Sequence, residues 1–264
     1  MSITSPLSSS GKLLEESDSS NNSSNSGPLL IVKPTTFRSK YLHVRYFPQF
    51  VPNDFANQLY QHCERLPWGD NLRSTITYGN PGLHYTLQIG KTEPKSFPVI
   101  PWSEFPSFTI LKPFIENILG KKFNFCAVMR YLNGSAGIKP HKDREMVSGT
   151  TIAGLSVGVE RTFKIDFPSY SKLKPLEIKL FHGSLYTMEP PTNDNCYHSI
   201  PEEPGINGIR YSFTFRDINE EDFSRMPLIP IIRCVATLKS GNRKGEICNS
   251  IVGGSGNLCG KHNK

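Results

Sequence analysis

From residue 123 onward the chain runs as short apolar segments separated by Gly, Pro or Asn: Phe123 to Tyr131, Thr151 to Val157, Thr162 to Phe167, Leu176 to Phe181, Ser184 to Met188, Tyr197 to Ile200 and Ile209 to Phe215. Segments of this length, so closely punctuated, predict a barrel or sandwich of short strands. Two helices precede them. Phe55, Leu59, Cys63 and Leu66 share one helical face behind Asn53 as N-cap, with Pro67 as the stop, which makes Cys63 a core thiol. Phe108, Leu111, Ile115 and Ile118 line a second helix over 105–119 that ends at Gly120 and should be kinked or divided at Pro113. Both helices are expected to cover one sheet. Tyr41 to Phe47 reads as an edge strand, and the alternating stretches Ser74 to Tyr78 and His84 to Ile89 read as a hairpin about Gly79-Asn80-Pro81-Gly82.

The ends of the chain differ from this middle. Residues 1–28, centred on Ser19-Ser20-Asn21-Asn22-Ser23-Ser24-Asn25-Ser26, hold too little apolar surface to order themselves and are expected to be disordered. A chain of 264 residues then holds one sizeable domain, 29–226, and a small unit at 233–264. No apolar run is long enough for a bilayer and the N-terminus lacks a secretory pattern, so an intracellular, membrane-free monomer is expected. Six cysteines in a chain this long are thiols or metal ligands rather than a disulfide scaffold, and Cys196 reads as a buried thiol. The net charge of +7 points to a polyanionic partner, and the last segment carries much of it: Arg233, Lys239, Arg243, Lys244, Lys261 and Lys264 against Glu246 alone.

The candidate chemistry begins at His141 and Asp143, two apart and therefore on one side of an extended chain, with His198 downstream. Two imidazoles and one carboxylate hold Fe(II) on one face and leave the opposite positions open for a chelating cosubstrate and O2. Arg210 and Arg216 are an even number of residues apart, so on a strand they share a face with Ser212 and Thr214 while Tyr211, Phe213 and Phe215 face the other way. Two guanidiniums directed into an apolar barrel need carboxylates, and 2-oxoglutarate has one at each end.

Taken in order, Thr77-Tyr78-Gly79-Asn80-Pro81-Gly82-Leu83-His84-Tyr85-Thr86, Asn124-Phe125 through Arg130-Tyr131, His141-x-Asp143, His182-Gly183-Ser184-Leu185, Tyr197-His198-Ser199-Ile200-Pro201 and Arg210 to Arg216 resemble the AlkB family of Fe(II)/2-oxoglutarate dioxygenases, over about Leu66 to Ile218. The resemblance implies an α+β, mainly β fold: a double-stranded β-helix (jelly-roll) barrel with flanking N-terminal helices and a nucleotide-recognition hairpin. It implies that His141, Asp143 and His198 bind iron, that Tyr131 and Arg210 hold the distal carboxylate, and that Ser212 and Arg216 lie near the cosubstrate. Glu145 would read the damaged base, Tyr85 and His141 would contact it, Trp68 in the turn Arg65-Leu66-Pro67-Trp68 would supply a wedge, and Arg73 would approach the backbone. Met129 and Ser212 stand where the family usually has Asn, and Leu87 where a close homologue has an aromatic ring, which bears on affinity and base preference but leaves the iron ligands intact.

The function implied is oxidative dealkylation of N-methylated bases in DNA, with Fe(II), 2-oxoglutarate and O2, in the nucleus or another DNA-containing compartment; the alternatives are the same chemistry on RNA, or an inactive barrel that binds nucleic acid. In the basic tail Cys234, Cys248, Cys259 and His262 give C-x13-C-x10-C-x2-H, a Cys3His set for a structural Zn(II).

Overall fold

The computed structural model describes residues 14–16, 33–87, 95–219, 236–239 and 244–248. In chain order the elements are strands β1 (Leu14–Glu16), β2 (Thr35–Ser39) and β3 (Leu42–Phe47), helix α1 (Asn53–Glu64), strands β4 (Arg73–Gly79), β5 (His84–Leu87), β6 (Lys95–Pro98) and β7 (Ile100–Pro101), and helix α2 (Phe108–Leu119). Strands β8 (Phe125–Tyr131), β9 (Ile138–His141), β10 (Ile152–Gly158), β11 (Arg161–Asp166), β12 (Leu176–Leu180) and β13 (Ser184–Glu189) follow. A short helix α3 (Thr192–Asn195) and strands β14 (Tyr197–Ile200) and β15 (Arg210–Arg216) complete the core. A nine-stranded sheet in the order β1-β2-β3-β13-β10-β15-β8-β4-β7 faces a four-stranded sheet, β12-β11-β14-β9, as in a jelly roll.

Alternation along β15 divides the molecule into an apolar and a polar half. Tyr211, Phe213 and Phe215 pack with Ala56, Leu59 and Cys63 of α1 and Leu111 and Ile115 of α2, so both helices cover the outer face of the large sheet. Arg210, Ser212, Thr214 and Arg216 project into the space between the sheets. The register supports this division, since β15 is paired along its whole length, Arg210 with Tyr131 through Arg216 with Phe125 on one side and Arg210 with Gly158 through Phe215 with Ala153 on the other.

Several local expectations need correction. Tyr41 to Phe47 is not an edge strand, because β2 pairs with the outer side of β3 and β13 with its inner side. The turn after Gly79 forms, with Leu83 N–H donating to Asn80 O at 3.0 Å, but its arms do not pair with each other. Strand β4 joins β8 and β7, while β5 pairs with β6, so long-range partners outcompete the local hairpin. Pro52, with φ −58° and ψ 149°, takes the capping position of α1, and Asn53 is its first helical residue. Helix α2 stays continuous through Pro113, because burial of Phe108, Leu111, Ile115 and Leu119 outweighs a proline cost on the order of 3 kcal/mol. It ends as expected at Gly120, whose φ of 61° is left-handed. Cys63 and Cys196 are buried thiols.

Gly154 on β10 lets a cavity wall form, since a Cβ there would lie 2.3 Å from the Tyr186 ring. That ring stacks on Phe163 of the opposite sheet with centroids 4.2 Å apart. At the far end of the chain, Thr237 and Ile247 form a β-bridge and Cys248 N–H donates to Ala236 O at 2.8 Å. The other members of the candidate zinc set, Cys234, Cys259 and His262, lie outside the described residues, as do residues 1–13 and 17–28 of the N-terminal segment.

Because Phe213 is fully buried between the large sheet and Phe105 and Phe108, Phe213→Ala should cost about 3–5 kcal/mol of unfolding free energy. Urea titration should show a lower midpoint with an unchanged slope.

Candidate active site

His141 ends β9 and pairs with His198 of β14, which brings two imidazoles from distant segments side by side with ring centroids 4.2 Å apart. His141 Nδ1 lies 2.9 Å from Lys139 O. A carbonyl can only accept, so Nδ1 donates to it and Nε2 is the ring nitrogen turned toward Asp143. Asp143 Oδ1 lies 3.4 Å from His141 Nε2 and 3.8 Å from His198 Nε2. Among the described residues these three form the candidate metal cluster, with ligand atoms within 4.8 Å of one another. Burial draws the pKa of His198 down to about 3 against the opposing pull of Asp143, so the ring stays neutral. Burial alone would raise the Asp143 carboxyl, but Arg216 and the two histidines together more than offset it and hold the pKa well below the carboxylate range. A neutral His198 and an ionised Asp143 are the protonation states that metal binding requires of them.

Strand β9 stops at His141, so the ladder that orients the histidine does not reach Asp143. Asn193 of α3 takes its place: its Oδ1 accepts from Asp143 N–H at 3.0 Å and its Nδ2 donates to Asp143 O at 2.7 Å. Helix α3 is tied to the large sheet next door, where Thr192 Oγ1 donates to His43 O at 2.9 Å and accepts from His43 N–H at 2.8 Å. Arg161, with no exposed surface, anchors the loops flanking both histidines by donating to Asn133 O, Ala136 O and Pro201 O and pairing with Glu203 at 3.1 Å. Gly134 permits that packing, since a Cβ would lie 1.8 Å from Glu203 O. Sequence reasoning missed Asn193 and Arg161, whose partners lie tens of residues away with no local signal to mark them.

Between the sheets is a cavity of about 40 Å³, lined by Met129, Tyr131, Phe163 and Tyr186 together with His141, His198 and the inward side chains of β15. Arg210 is 1% exposed, donates from Nε to Ser156 Oγ at 2.8 Å and from Nη2 to Ser212 Oγ at 3.3 Å, and lies 5.0 Å from the Tyr131 ring centroid. Burial lowers its pKa, with Tyr131 opposing. Arg216 Nε is 2.8 Å from Asp143 Oδ2, a charge contact without the angles of a hydrogen bond, and its Nη1 donates to Glu145 Oε1 at 2.9 Å. Buried atoms lacking a hydrogen-bond partner among the described residues include Asp143 Oδ2, His198 Nδ1, Arg210 Nη1 and Arg216 Nε. Native interiors rarely leave such atoms unsatisfied. A divalent cation held by the carboxylate and imidazoles, with a carboxylate-bearing molecule against the guanidiniums, is the ligand pair this donor set fits.

The candidate base-contacting residues divide into two groups. Glu145 and Tyr85 gather beside the cluster, and the Tyr85 ring stacks on Phe125 at 5.1 Å. Burial, then the Glu145 charge, pushes the Tyr85 pKa up to about 12. Arg73, paired in register with Tyr131, is exposed and reaches Met129 Sδ at 3.9 Å. Trp68 is elsewhere: it stacks on Tyr211, donates to Cys63 O at 2.6 Å and packs against the helix-covered core. That sets it on the face of the large sheet opposite Arg210 and Arg216.

A conserved-sequence description of the 2OG-Fe(II) oxygenase superfamily matches residues 43–216, and the chain belongs to that superfamily. Within it, the chain is 34% identical over 159 residues to mouse DNA oxidative demethylase ALKBH2, covering 57% of this chain and 64% of that protein. The human protein of the same name is 33% identical over 159 residues, covering 57% and 58%. Human alpha-ketoglutarate-dependent dioxygenase alkB homolog 3 is 30% identical over 191 residues, covering 65% of each chain. The chain thus spans less than two thirds of the length of these relatives.

If the Asn193 amide holds Asp143 in place of a strand ladder, Asn193→Ala should weaken Co(II) binding about 10–100-fold, the range for residues that orient metal ligands. Titration of the visible Co(II) absorption measures this, and an affinity equal to that of the parent protein would refute the role.

Proposed function

We propose that this chain is an Fe(II)- and 2-oxoglutarate-dependent dioxygenase that removes methyl groups from ring nitrogens of bases in DNA, of the 1-methyladenine and 3-methylcytosine type. The observation that carries the reading is the clustering of His141, Asp143 and His198 beside the cavity where Arg210 and Arg216 present buried guanidiniums. Membership of the oxygenase superfamily and the names of the similar proteins support it. Bound Fe(II), with 2-oxoglutarate and O2, would supply the oxygen inserted into a methyl C–H bond, while the keto acid leaves as succinate and CO2. The hydroxymethyl product then loses formaldehyde and restores the base.

In this reading the protein's residues bind, orient and exclude water. Tyr131 and Arg210 grip the distal carboxylate of the cosubstrate beside Ser212, and Arg216 serves its chelating end. Glu145 suits a base that methylation has made cationic, and Tyr85 offers a hydroxyl and a ring face. Arg73, on the rim, suits a phosphate. A base buried in a duplex cannot reach such a site, so the target nucleotide is flipped out or taken from a single strand. DNA rather than RNA is the proposed partner, acted on wherever the cell keeps its DNA. The basic tail is part of the proposal, with Cys234, Cys248, Cys259 and His262 holding one structural Zn(II).

Succinate formation with Fe(II) and O2 should rise when methylated DNA oligonucleotides are added, and should fall by more than about 100-fold in His141→Ala and Asp143→Ala, beyond what outer residues cost. Equal turnover in parent and variants would remove the enzyme reading, and matched RNA oligonucleotides at fixed salt test the choice of DNA. For the tail, metal analysis should find one zinc per chain, lost in Cys259→Ser; a zinc-free protein of full activity would sink that part.

A further inference from the structure

We propose that Arg216 couples cosubstrate to base: Glu145 holds this guanidinium until a carboxylate of the 2-oxo acid claims it, and the release turns Glu145 toward the target base. The inference rests on the oxygenase reading above and extends it to the order and mutual dependence of binding.

Arg216 is 6% exposed and engages two acids at once, Asp143 through Nε at 2.8 Å and Glu145 through Nη1 at 2.9 Å. A two-pronged grip on an incoming carboxylate uses either Nε with Nη2 or Nη1 with Nη2. Each grip therefore includes an N–H that already faces an acid. Of the two acids, Asp143 is the fixed one, because Asn193 holds its backbone from both sides and its side chain is 3% exposed. The Glu145 side chain is 24% exposed and is steadied otherwise by Arg144 N–H at 2.9 Å, its nearest chain neighbour. Glu145 is the acid free to turn.

The cavity gives a second reason for movement. At about 40 Å³ it is small for a five-carbon diacid, whose entry requires lining side chains to shift. Arg216 lines it, and the contact that restrains the outer edge of this guanidinium is Glu145. The neighbouring backbone stays in place as this happens. Asn219 N–H donates to Glu145 O at 3.2 Å and Val147 N–H to Asp217 O at 2.9 Å, so the release is a side-chain rotation on a tethered loop. Tyr85 lies within electrostatic reach of both Glu145 and Arg216, which places the vacated carboxylate beside a candidate base contact. Leaving the buried Arg216 charge without a partner is costly, so the exchange is favoured when both ligands are present: a carboxylate for Arg216 and a cation or N–H donor for the freed Glu145. Coupling of this kind is reciprocal, each ligand raising the affinity of the other by the same factor.

The test uses full-length protein loaded with Co(II), without O2, in parent and Glu145→Gln forms. In the first arm, with no nucleic acid present, 2-oxoglutarate should bind about 5-fold or more tightly to Glu145→Gln, because its competitor for Arg216 has lost its charge. In the second, anisotropy of a 1-methyladenine DNA oligonucleotide should show that 2-oxoglutarate tightens binding to the parent about 5-fold or more and leaves Glu145→Gln unmoved. Cosubstrate affinity that is unchanged or weaker in Glu145→Gln, or an equal cosubstrate effect on oligonucleotide binding in both proteins, overturns the coupling. The first arm reads Arg216 even if the parent proves to have no activity on methylated DNA, so failure of the coupling and failure of the proposed function remain distinct.

Discussion

The site depends on the charge contact between Asp143 and Arg216, whose side chains are both buried. Alone, either group would be a buried ion with a desolvation penalty of several kcal/mol. Together they keep the carboxylate ionised, and burial keeps His198 neutral. Both conditions favour a divalent cation, which takes an anion and two free lone pairs. Arg216 thus helps to keep Asp143 ionised before any cation arrives. Its own pKa is a balance: burial lowers it, and Asp143 and then Glu145 raise it further, above the usual guanidinium value.

Strand β15 meets this electrostatic demand with a one-residue alternation. The same seven residues that bury Tyr211, Phe213 and Phe215 under the helices deliver Arg210 and Arg216 to the cavity. A shift of one residue in its pairing with β8 would exchange the two faces, putting guanidiniums into the helix-packed core and aromatic rings into the cavity. That penalty fixes the register. The aromatic core on one side thus specifies the geometry of the polar site on the other.

Features resting on local periodicity were legible in the sequence. The strand series after residue 123, the even spacing of Arg210 and Arg216, the coverage of one sheet by two helices and the left-handed stop at Gly120 all appear where the pattern implies. Features that depend on which strand meets which were not. Gly79 to Gly82 is a good turn, yet β4 pairs with a strand some fifty residues on, because seven ladder positions with β8 outweigh a short local hairpin. The inner place of β3 depended on β2, whose Thr-Thr-Phe-Arg-Ser carries no strong alternation. Trp68 carried no local cue to its stack on Tyr211, more than a hundred residues away.

The ligand spacing itself shows how a correct inference can rest on the wrong support. His141 and Asp143 do face the same way, but no single strand carries both, since β9 ends at the histidine. Strand geometry beyond that point would have drawn Asp143 into a ladder opposite Cys196, two residues from the other histidine. Instead the chain leaves the sheet, and the Asn193 amide supplies one acceptor and one donor to the same residue, as an adjacent strand would. The clamp holds the carboxylate while leaving the next residues free to form the loop that carries Glu145, paired not with the sheet of the histidines but with the segment beyond β15. The candidate metal ligand Asp143 is thereby clamped through its backbone, whereas the side chain of Glu145 is not. The proposed function, a cation held constantly and a flipped base only transiently, would use this division, and ending β9 at His141 provides it.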